Sequence, residues 1–253
     1  MPRCLEPDRT GPADRYRLLH DREDRKLRAR RIVTVLSALG GIEVSNAYVL
    51  DIGCSDGMIT SEIAGHVALI VGIDVDADAV RYAVGASESS ESPHYVIGTG
   101  TSLPFGDESF DAAVCNHVYE HVANPYDLMR EISRILVPGG VCYFAAGHTL
   151  QIIEPHHRLP LLSWLPRRVA DGWVRALRRG HRYEEKFLPP WRLHGLFGDF
   201  AATEFVSPAM LRAPQRYGFP RIARLPAILR VIIATMARPL AMLAPTWIWL
   251  LRR

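Results

Sequence analysis

The chain has 253 residues, of which 48% are hydrophobic and 23% are charged. This length suffices for one large core, or for a catalytic domain with a smaller appendage, and the composition is that of a globular protein. Its four cysteines are scattered and form no C-x-x-C pair, which argues against a disulfide framework and against a zinc ribbon. The first residues contain no apolar segment of a secretory signal, so we expect a cytoplasmic location.

The formal net charge of +3 conceals a strong asymmetry between the two halves of the chain. Residues 1–150 carry a net charge of −8, whereas residues 151–253 carry +11, and no acidic residue follows Glu204. Such a division indicates an anionic partner for the basic half. A basic, solvated surface without a partner is the alternative.

The predicted elements begin with a helix from about Tyr16 to Leu39, which Gly40 and Gly41 end. Strands and amphipathic helices then alternate, which predicts an α/β fold with a parallel sheet covered on both faces. After His148 the alternation stops, and we expect helices and loops rather than further strands of the sheet. The predicted strands are AYVLDIG, HVALIVGIDV, SPHYVIG, SFDAAVCNHV and VCYFAAG, and the helices between them are MITSEIA, DADAVRYAVG and NPYDLMREISRIL, the last ending at Pro138-Gly139-Gly140.

A glycine-containing turn follows the first strand and precedes a helix. Gly53 and Gly57 have no side chains, so a ligand can approach the backbone N–H groups and the helix N-terminus closely. Asp74 lies at the end of the second strand, 23 residues after Asp51, where a carboxylate can accept both hydroxyls of a ribose. The pattern favours an adenosine-type ligand at the carboxyl ends of the strands, and a plain strand-to-helix turn is the alternative.

Three other motifs fit parts of the same region. Residues 53–57 match the G-x-S-x-G elbow of α/β-hydrolases, but that elbow usually follows several strands. A dinucleotide-binding turn has a second glycine where this chain has Ser55. Residues 117–121 match the zinc motif H-x-x-E-H, which needs both histidines on one helix face. We expect His117 at the end of a buried strand instead, and therefore predict no metal site.

Three longer segments resemble, in order and spacing, the type 11 group of class I S-adenosylmethionine-dependent methyltransferases. They are VLDIGCSDG, VGIDVDADAV and GTGTSLPFGDESFDAAVCNHVYEHVANPYDLMREISRILVPGG. The resemblance covers roughly residues 30–148 and implies a Rossmann-like methyltransferase fold, a mostly parallel, doubly wound sheet of seven strands with the cofactor across its carboxyl edge. It implies a cofactor-binding core with an N-terminal helix over residues 1–148. Residues 149–253 would then form an acceptor-shaping, basic and apolar region, largely helical, that completes the fold.

The resemblance also implies a set of residues that bind S-adenosylmethionine. Ser55 departs from the usual glycine, which is tolerable if its φ is not positive. Thr99 stands where the family often has an aspartate for the adenine amino group, although a hydroxyl can accept the same bond. The implied contacts are Asp51, Gly53, Cys54, Ser55 and Gly57 for the methionine part, Asp74 and Val75 for the ribose, Thr99, Gly100 and Thr101 near the adenine, and Asn116 and His117 as the floor.

Methyl transfer is an in-line displacement on a sulfonium, so positioning and exclusion of water can supply most of the acceleration. A base is needed only if the acceptor must lose a proton. The candidate catalytic residues are His121, His148 and His156, with His157, Glu120 and Glu154 behind them. Each of the histidines could equally be a surface or capping residue.

The C-terminal part contains two segments of interest. The first, EPHHRLPLLSWLPRRVADGWVRALRRGHRYEEKF, resembles an insertion of bacterial and archaeal members that accompany surface-glycan genes, and we expect it to shape the acceptor pocket. Residues 222–253 are apolar but too interrupted to span a membrane. If they formed one helix, Arg224, Arg230 and Arg238 would share an arc of about 120°. With Trp247 and Trp249 near its end, such a helix suits an anionic membrane interface; a core-packed helix pair, a dimer surface or a lid are alternatives.

These observations predict methyl transfer from S-adenosylmethionine to an amphipathic or lipid-linked acceptor, such as a surface-glycan precursor, at the cytoplasmic membrane face. A soluble small-metabolite methyltransferase and a non-catalytic nucleotide-binding module are the alternatives. No N-P-P-Y-like motif follows the fourth strand, so we expect no nucleic-acid substrate.

Overall fold

The computed structural model describes residues 12–87, 93–154, 159–177, 183, 186–244 and 246–253. In the first half, strands and helices alternate as predicted. The elements are α1 (Pro12–Ala38), β1 (Tyr48–Ile52), α2 (Met58–Ala64), β2 (Leu69–Asp74), α3 (Ala77–Ala86), β3 (His94–Ile97), β4 (Phe110–Asn116), α4 (Pro125–Ile135) and β5 (Leu136–Ala146).

In the part of the second half that the structure describes, short helices are combined with four more strands. The elements are β6 (Ile153–Glu154), β7 (Leu159–Pro160), α5 (Arg167–Ala176), α6 (Pro190–His194), β8 (Ala202–Phe205), α7 (Ser207–Arg212), α8 (Pro220–Ala223), α9 (Ala227–Thr235), α10 (Ala237–Met242) and β9 (Trp247–Arg252), with single 3₁₀ turns at Leu162–Trp164 and Gly195–Phe197. A further 3₁₀ turn, Val44–Asn46, precedes β1 in the first half.

The main sheet has seven strands in the order β3-β2-β1-β4-β5-β9-β8. Strands β1 to β5 are parallel, and β9 runs antiparallel to both β5 and β8. The strand order reverses between β1 and β4, and such a reversal opens a crevice at the carboxyl ends of the strands. The fold is therefore the expected Rossmann-like methyltransferase architecture.

Helix boundaries follow local signals. The side chain of Asp76 caps α3 by accepting the N–H groups of Asp78 and Ala79, and Asn124 caps α4 in the same manner. Helix α4 ends at Ile135, earlier than the predicted Pro138-Gly139-Gly140, because the chain has already turned into β5.

Apolar layers cover both faces of the sheet. On one face, α4 buries Leu128 and Ile132 against β5, while on the other α1 packs against α2 and β5 and buries Ile32 and Leu36. These layers fix the sheet, so the carboxyl ends of its strands form one rigid edge.

The expectation of helices and loops alone after His148 is wrong, because β8 and β9 extend the sheet. Trp247 and Trp249 lie in β9, where Trp249 pairs with Phe144 of β5 and Trp247 is only 5% exposed. They are therefore not the end of an interfacial helix.

The single helix considered for residues 222–253 is likewise not formed. Arg224 follows α8, Arg230 lies on α9 and Arg238 lies on α10, so the three arginines do not share one helical arc. Helix α9 has no buried residue. Among the residues that the structure describes, no helix is long and apolar enough to cross a bilayer.

Candidate functional site

The predicted cofactor residues converge at the carboxyl edge of the sheet. Asp51 lies near the end of β1, Asp74 ends β2 and Asn116 ends β4, and β1 pairs directly with both β2 and β4. The turn after β3 contributes Thr99 and Thr101. Topology thus brings together segments that are separated by more than sixty residues in the chain.

The glycine loop between β1 and α2 has three residues in the left-handed region. Gly53 has a φ of 76°, Gly57 has 72° and Ser55 has 50°. The condition that Ser55 avoid positive φ is therefore not met, and its side chain occupies a strained backbone position.

The N–H groups of this loop are used inside the protein. Those of Gly53 and Cys54 donate to the Ile73 carbonyl, at 2.8 and 3.2 Å, and that of Gly57 donates to the Cys54 carbonyl at 3.0 Å. Hence the loop does not present these donors to a ligand, in contrast to the expectation from the strand–turn–helix pattern.

Asp74 connects the loop to the second strand. Its Oδ2 accepts the Ser55 N–H at 2.8 Å, and its Oδ1 accepts the Asp76 N–H at 2.9 Å. Each carboxylate oxygen has a second lone pair, so both can still accept a ribose hydroxyl. Val75, directly after it, is 70% exposed and offers an apolar surface beside the carboxylate.

Asp51 is a buried acid beside the same loop. It accepts a hydrogen bond of 2.6 Å from the Thr60 hydroxyl. Burial raises its pKa to about 7, the Thr60 hydrogen bond opposes this shift, and the charge of Asp74 adds to it. Burial also raises the pKa of the Cys54 thiol, and the negative charges of Asp51, Asp74 and Asp56 contribute to that rise. Asp56 is paired with Arg25 at 2.6 Å, so the negative field in the loop comes mainly from Asp51 and Asp74.

This loop fits the S-adenosylmethionine that the sequence implies. The methionine part of that cofactor carries a sulfonium and an ammonium, which a cluster of carboxylates favours. A pyrophosphate would instead meet repulsion and few unused N–H groups, so the arrangement argues against a dinucleotide.

The turn after β3 is closely packed. The Thr99 hydroxyl accepts the Thr101 N–H at 3.3 Å and lies 2.9 Å from the Thr101 hydroxyl. A Cβ added to the buried Gly100 would lie within 3 Å of Leu128 and Ile52. When the Thr99 hydroxyl donates to the Thr101 hydroxyl, its oxygen keeps one acceptor position, which is then available for an adenine amino group.

His117 directly follows β4, as expected, and has a φ of 59°. Its Nδ1 lies 2.9 Å from Glu120 Oε1, and its Nε2 lies 3.1 Å from the Thr246 hydroxyl. Residues 117–121 form a turn rather than a helix, and His121 is exposed. The two histidines therefore do not share a helix face.

His148 differs from the other candidate bases because it is fully buried. Its Nε2–H donates to the Ala244 carbonyl at 2.9 Å, which leaves Nδ1 unprotonated, and no protein group that the structure describes bonds that nitrogen. Burial lowers its pKa, so the ring is neutral at pH 7. His156 lies outside the described residues, as does His157, and the side chain of Glu154 is likewise not described.

A cavity of about 490 Å³ adjoins this edge, between α1, α7, α10 and the ends of β4 and β5. Asn116 and His117, predicted as the cofactor floor, form part of its wall. The remaining polar residues of the wall could not be predicted from the sequence, because a basic run in α1 does not reveal which arginines face the sheet. These residues are Arg28, Arg31, Tyr143, Ser207 and Thr246.

Comparisons with known proteins agree with this geometry. A family model described as a methyltransferase domain, of the type 11 group, matches residues 50–144. A ubiquinone biosynthesis O-methyltransferase of Parvibaculum lavamentivorans is 29% identical over 173 residues, covering 63% of this chain and 66% of the relative. An uncharacterized methyltransferase of Mycolicibacterium gilvum is 34% identical over 146 residues, covering 57% of this chain and 56% of the relative. The chain thus spans about two thirds or less of the length of these relatives.

Solved structures show the same fold. An S-adenosylmethionine-dependent methyltransferase from Mesorhizobium loti superposes with a TM-score of 0.56 at 17% identity, covering 87% of this chain and 98% of that one. The YcgJ protein of Bacillus subtilis gives a TM-score of 0.53 at 18% identity, covering 87% and 97%.

Proposed function

We propose that this chain is a class I S-adenosylmethionine-dependent methyltransferase of the type 11 group, whose domain matches residues 50–144, and that it methylates a hydroxyl oxygen of an amphipathic small molecule. One observation carries the proposal: Asn116 and His117, at the predicted cofactor floor, also line a largely apolar cavity large enough for a small molecule. Transfer to oxygen is proposed from the relatives named for ubiquinone biosynthesis, which are O-methyltransferases.

The chain's own residues would hold the cofactor by charge and by hydrogen bonds. Asp74 would accept the ribose hydroxyls, and Asp51, with the negative loop around Gly53, would favour the positively charged methionine part. When bound, S-adenosylmethionine supplies a methyl group on a sulfonium. The fixed positions of Asn116 and His117 at the end of β4 would then orient the acceptor and exclude water.

We assign the base to His148. A hydroxyl acceptor must lose its proton as the oxygen–carbon bond forms, and the unprotonated Nδ1 of a neutral imidazole can take that proton. His148 itself is not among the residues that line the cavity, but the Ala244 carbonyl that fixes its tautomer belongs to a residue of the cavity wall, so the ring lies directly behind that wall. His121 is the alternative base, on the exposed turn after β4.

We further propose that the surface formed by residues 220–243, the α8–α10 surface, rests on an anionic membrane at its cytoplasmic face, where a lipid-linked acceptor would enter. Helix α10 contributes Ala241 and the following Ala244 to the cavity wall, while Leu240 and Leu243 are exposed. An acceptor that enters from the lipid side would therefore have a short path to the cavity. The exposed apolar residues of this surface are Ile228, Leu229, Val231, Ile232, Met236, Leu240, Met242 and Leu243.

The test is a turnover assay with S-adenosylmethionine and hydroxylated acceptors of increasing chain length. The release of S-adenosylhomocysteine is measured as the signal. We expect turnover that increases with chain length. His148→Gln keeps a donor for the Ala244 carbonyl and should lower kcat by about 100-fold or more without changing S-adenosylhomocysteine affinity. Turnover of short acceptors alone would favour a soluble-metabolite enzyme, and cofactor binding without any turnover would favour a non-catalytic module.

A further inference from the structure

We propose that the cavity beneath α1 binds its ligand through an anionic group, a carboxylate or a phosphate, held by Arg28, Arg31 and Tyr143. The inference rests on the proposed function, because it names the class of acceptor: an amphipathic anion that carries a hydroxyl.

Arg31, a residue of α1, is partly buried, and no carboxylate of the described residues lies at its guanidinium. Its Nε donates to the Tyr217 carbonyl at 2.9 Å, its Nη2 donates to the Gly218 carbonyl at 3.3 Å, and its charge lies 4.2 Å from the centre of the Phe219 ring. These partners orient the guanidinium, but none of them carries a negative charge. Bringing a guanidinium out of water without an anion is unfavourable, and a bound anion would offset that cost.

A second positive charge lies close by. Burial is the main factor that lowers the pKa of Arg31, and the charge of Arg28 lowers it further, whereas Tyr143 and Asp24 act in the opposite direction. Arg28 lines the cavity and is exposed at its mouth. Two arginines one helical turn apart therefore face the same space.

Tyr143 adds a neutral donor on the sheet side. Burial raises the pKa of its phenol to about 12, although both arginines oppose this shift. The phenol therefore keeps its proton at neutral pH and can donate it to an acceptor. No aspartate or glutamate occurs among the residues that line the cavity in the described part of the chain. Guanidinium groups with a phenolic O–H complement carboxylates and phosphates.

The rest of the cavity fits an apolar body. Ile32, Met210 and Phe219 form apolar walls, and Asn116 and His117 lie on the wall near the predicted methyl donor. An occupant with an anionic group at the arginines would thus pass along apolar walls toward the reacting edge. The volume of about 490 Å³ falls within the range of small-molecule sites.

The experiment measures binding to the full chain saturated with S-adenosylhomocysteine. Calorimetry with octyl phosphate, octanol and octyltrimethylammonium separates charge from apolar burial. We expect octyl phosphate to bind at least about tenfold more tightly than octanol, and octyltrimethylammonium to bind most weakly. Arg28→Gln and Tyr143→Phe should each weaken octyl phosphate binding by about fivefold or more and leave octanol binding unchanged.

Arg30→Gln is the matched control, because it removes the same charge from the same helix but does not line the cavity. It should leave the affinities of all three compounds unchanged. Equal binding of octanol and octyl phosphate would overturn the proposal, as would an equal loss in the control variant. Weaker S-adenosylhomocysteine binding by Arg28→Gln would assign this arginine to the cofactor's own carboxylate, against the proposal. Failure of the wild type to bind S-adenosylhomocysteine would refute the proposed function instead, while the three compounds would still report on the cavity.

Discussion

We expect Asp51 to make cofactor binding sensitive to pH near neutrality, because burial raises the pKa of its carboxyl group to about 7. A bound cation beside it favours the ionised form, so cofactor binding should release a proton. We expect the affinity for S-adenosylmethionine to rise by up to about tenfold per pH unit as pH approaches 7 and to level off above it. Calorimetry in two buffers of different ionisation enthalpy measures the proton release directly.

Asp51→Asn should abolish this pH dependence, because the amide does not ionise. Asp78→Asn changes the same charge on the exposed start of α3 and should preserve it. An affinity of the wild type that is constant from pH 5 to 8, without proton release, would contradict the assignment of Asp51 to the cofactor site.

The strained backbone of Ser55 gives a second prediction at this scale. Its φ of 50° disfavours any residue with a Cβ, so Ser55→Gly should raise the free energy of unfolding by about 0.5–1 kcal/mol, after the greater freedom of glycine in the unfolded chain is counted. Urea unfolding measures the change. Ser55→Ala keeps the strain and should show no gain; an equal gain in both variants would mean that strain is not the cause.

The sequence indicated Asp74 through its place at the end of a strand, and it indicated Asp51 and the loop of residues 53–57 through the family resemblance. It did not indicate that Ser55 adopts a positive φ, since the spacing of a loop does not determine its dihedral angles. The cavity arginines were missed for a related reason. Which arginines face the cavity depends on the orientation of α1 about its own axis against the sheet. That orientation is set by contacts with residues distant in the sequence.

At the scale of elements, β1 to β5 were predictable because each alternates with a helix next to it in the chain. Strand β9 was not, because the apolar run WIWLL fits a helix or a buried strand equally well, and its partners β5 and β8 are distant in sequence. A truncation after Arg221 would therefore remove an interior strand and should unfold the protein, so it cannot isolate a membrane contact.

Trp247 provides the quantitative test of β9. It is 5% exposed, with its ring 4.2 Å from that of His148 and 5.4 Å from that of Phe205. Trp247→Ala should lower the free energy of unfolding by about 3–5 kcal/mol. Trp191 is 71% exposed, so Trp191→Ala should change the free energy of unfolding by less than about 0.5 kcal/mol. Similar effects of the two substitutions would argue against β9 as an interior strand.

For the whole molecule, the charge asymmetry and the α8–α10 surface predict binding to anionic vesicles. The electrostatic attraction between arginines and anionic lipids decays over about 8 Å at physiological ionic strength and weakens as salt is added. The burial of apolar side chains in the interface is not screened by salt. Flotation with phosphatidylglycerol vesicles should therefore show binding that weakens with salt without vanishing, and phosphatidylcholine vesicles should bind less.

Replacing Ile228 and Val231 by serine should lower vesicle binding at least about fivefold, because both side chains are more than half exposed on α9. The matched control replaces Tyr82 and Val84 by serine, because both are also more than half exposed and lie on α3, away from the α8–α10 surface. Unchanged binding of the α9 variant, or an equal loss in the control, would exclude the α8–α10 surface as the membrane contact.

The position of β9 between β5 and β8 also has a consequence for how the protein is made. On the ribosome β8 emerges before β9, yet β9 is its neighbour in the sheet, so β8 cannot join the sheet when it is synthesised. The parallel strands β1 to β5 pair with one another, and all five are synthesised before β8, so they can assemble first. Arg252 then bonds the carbonyls of Leu39 and Gly40, more than two hundred residues away. We expect pulse-labelled nascent chains to acquire protease resistance in two stages, with β8 and the helices after it protected only once β9 has left the exit tunnel.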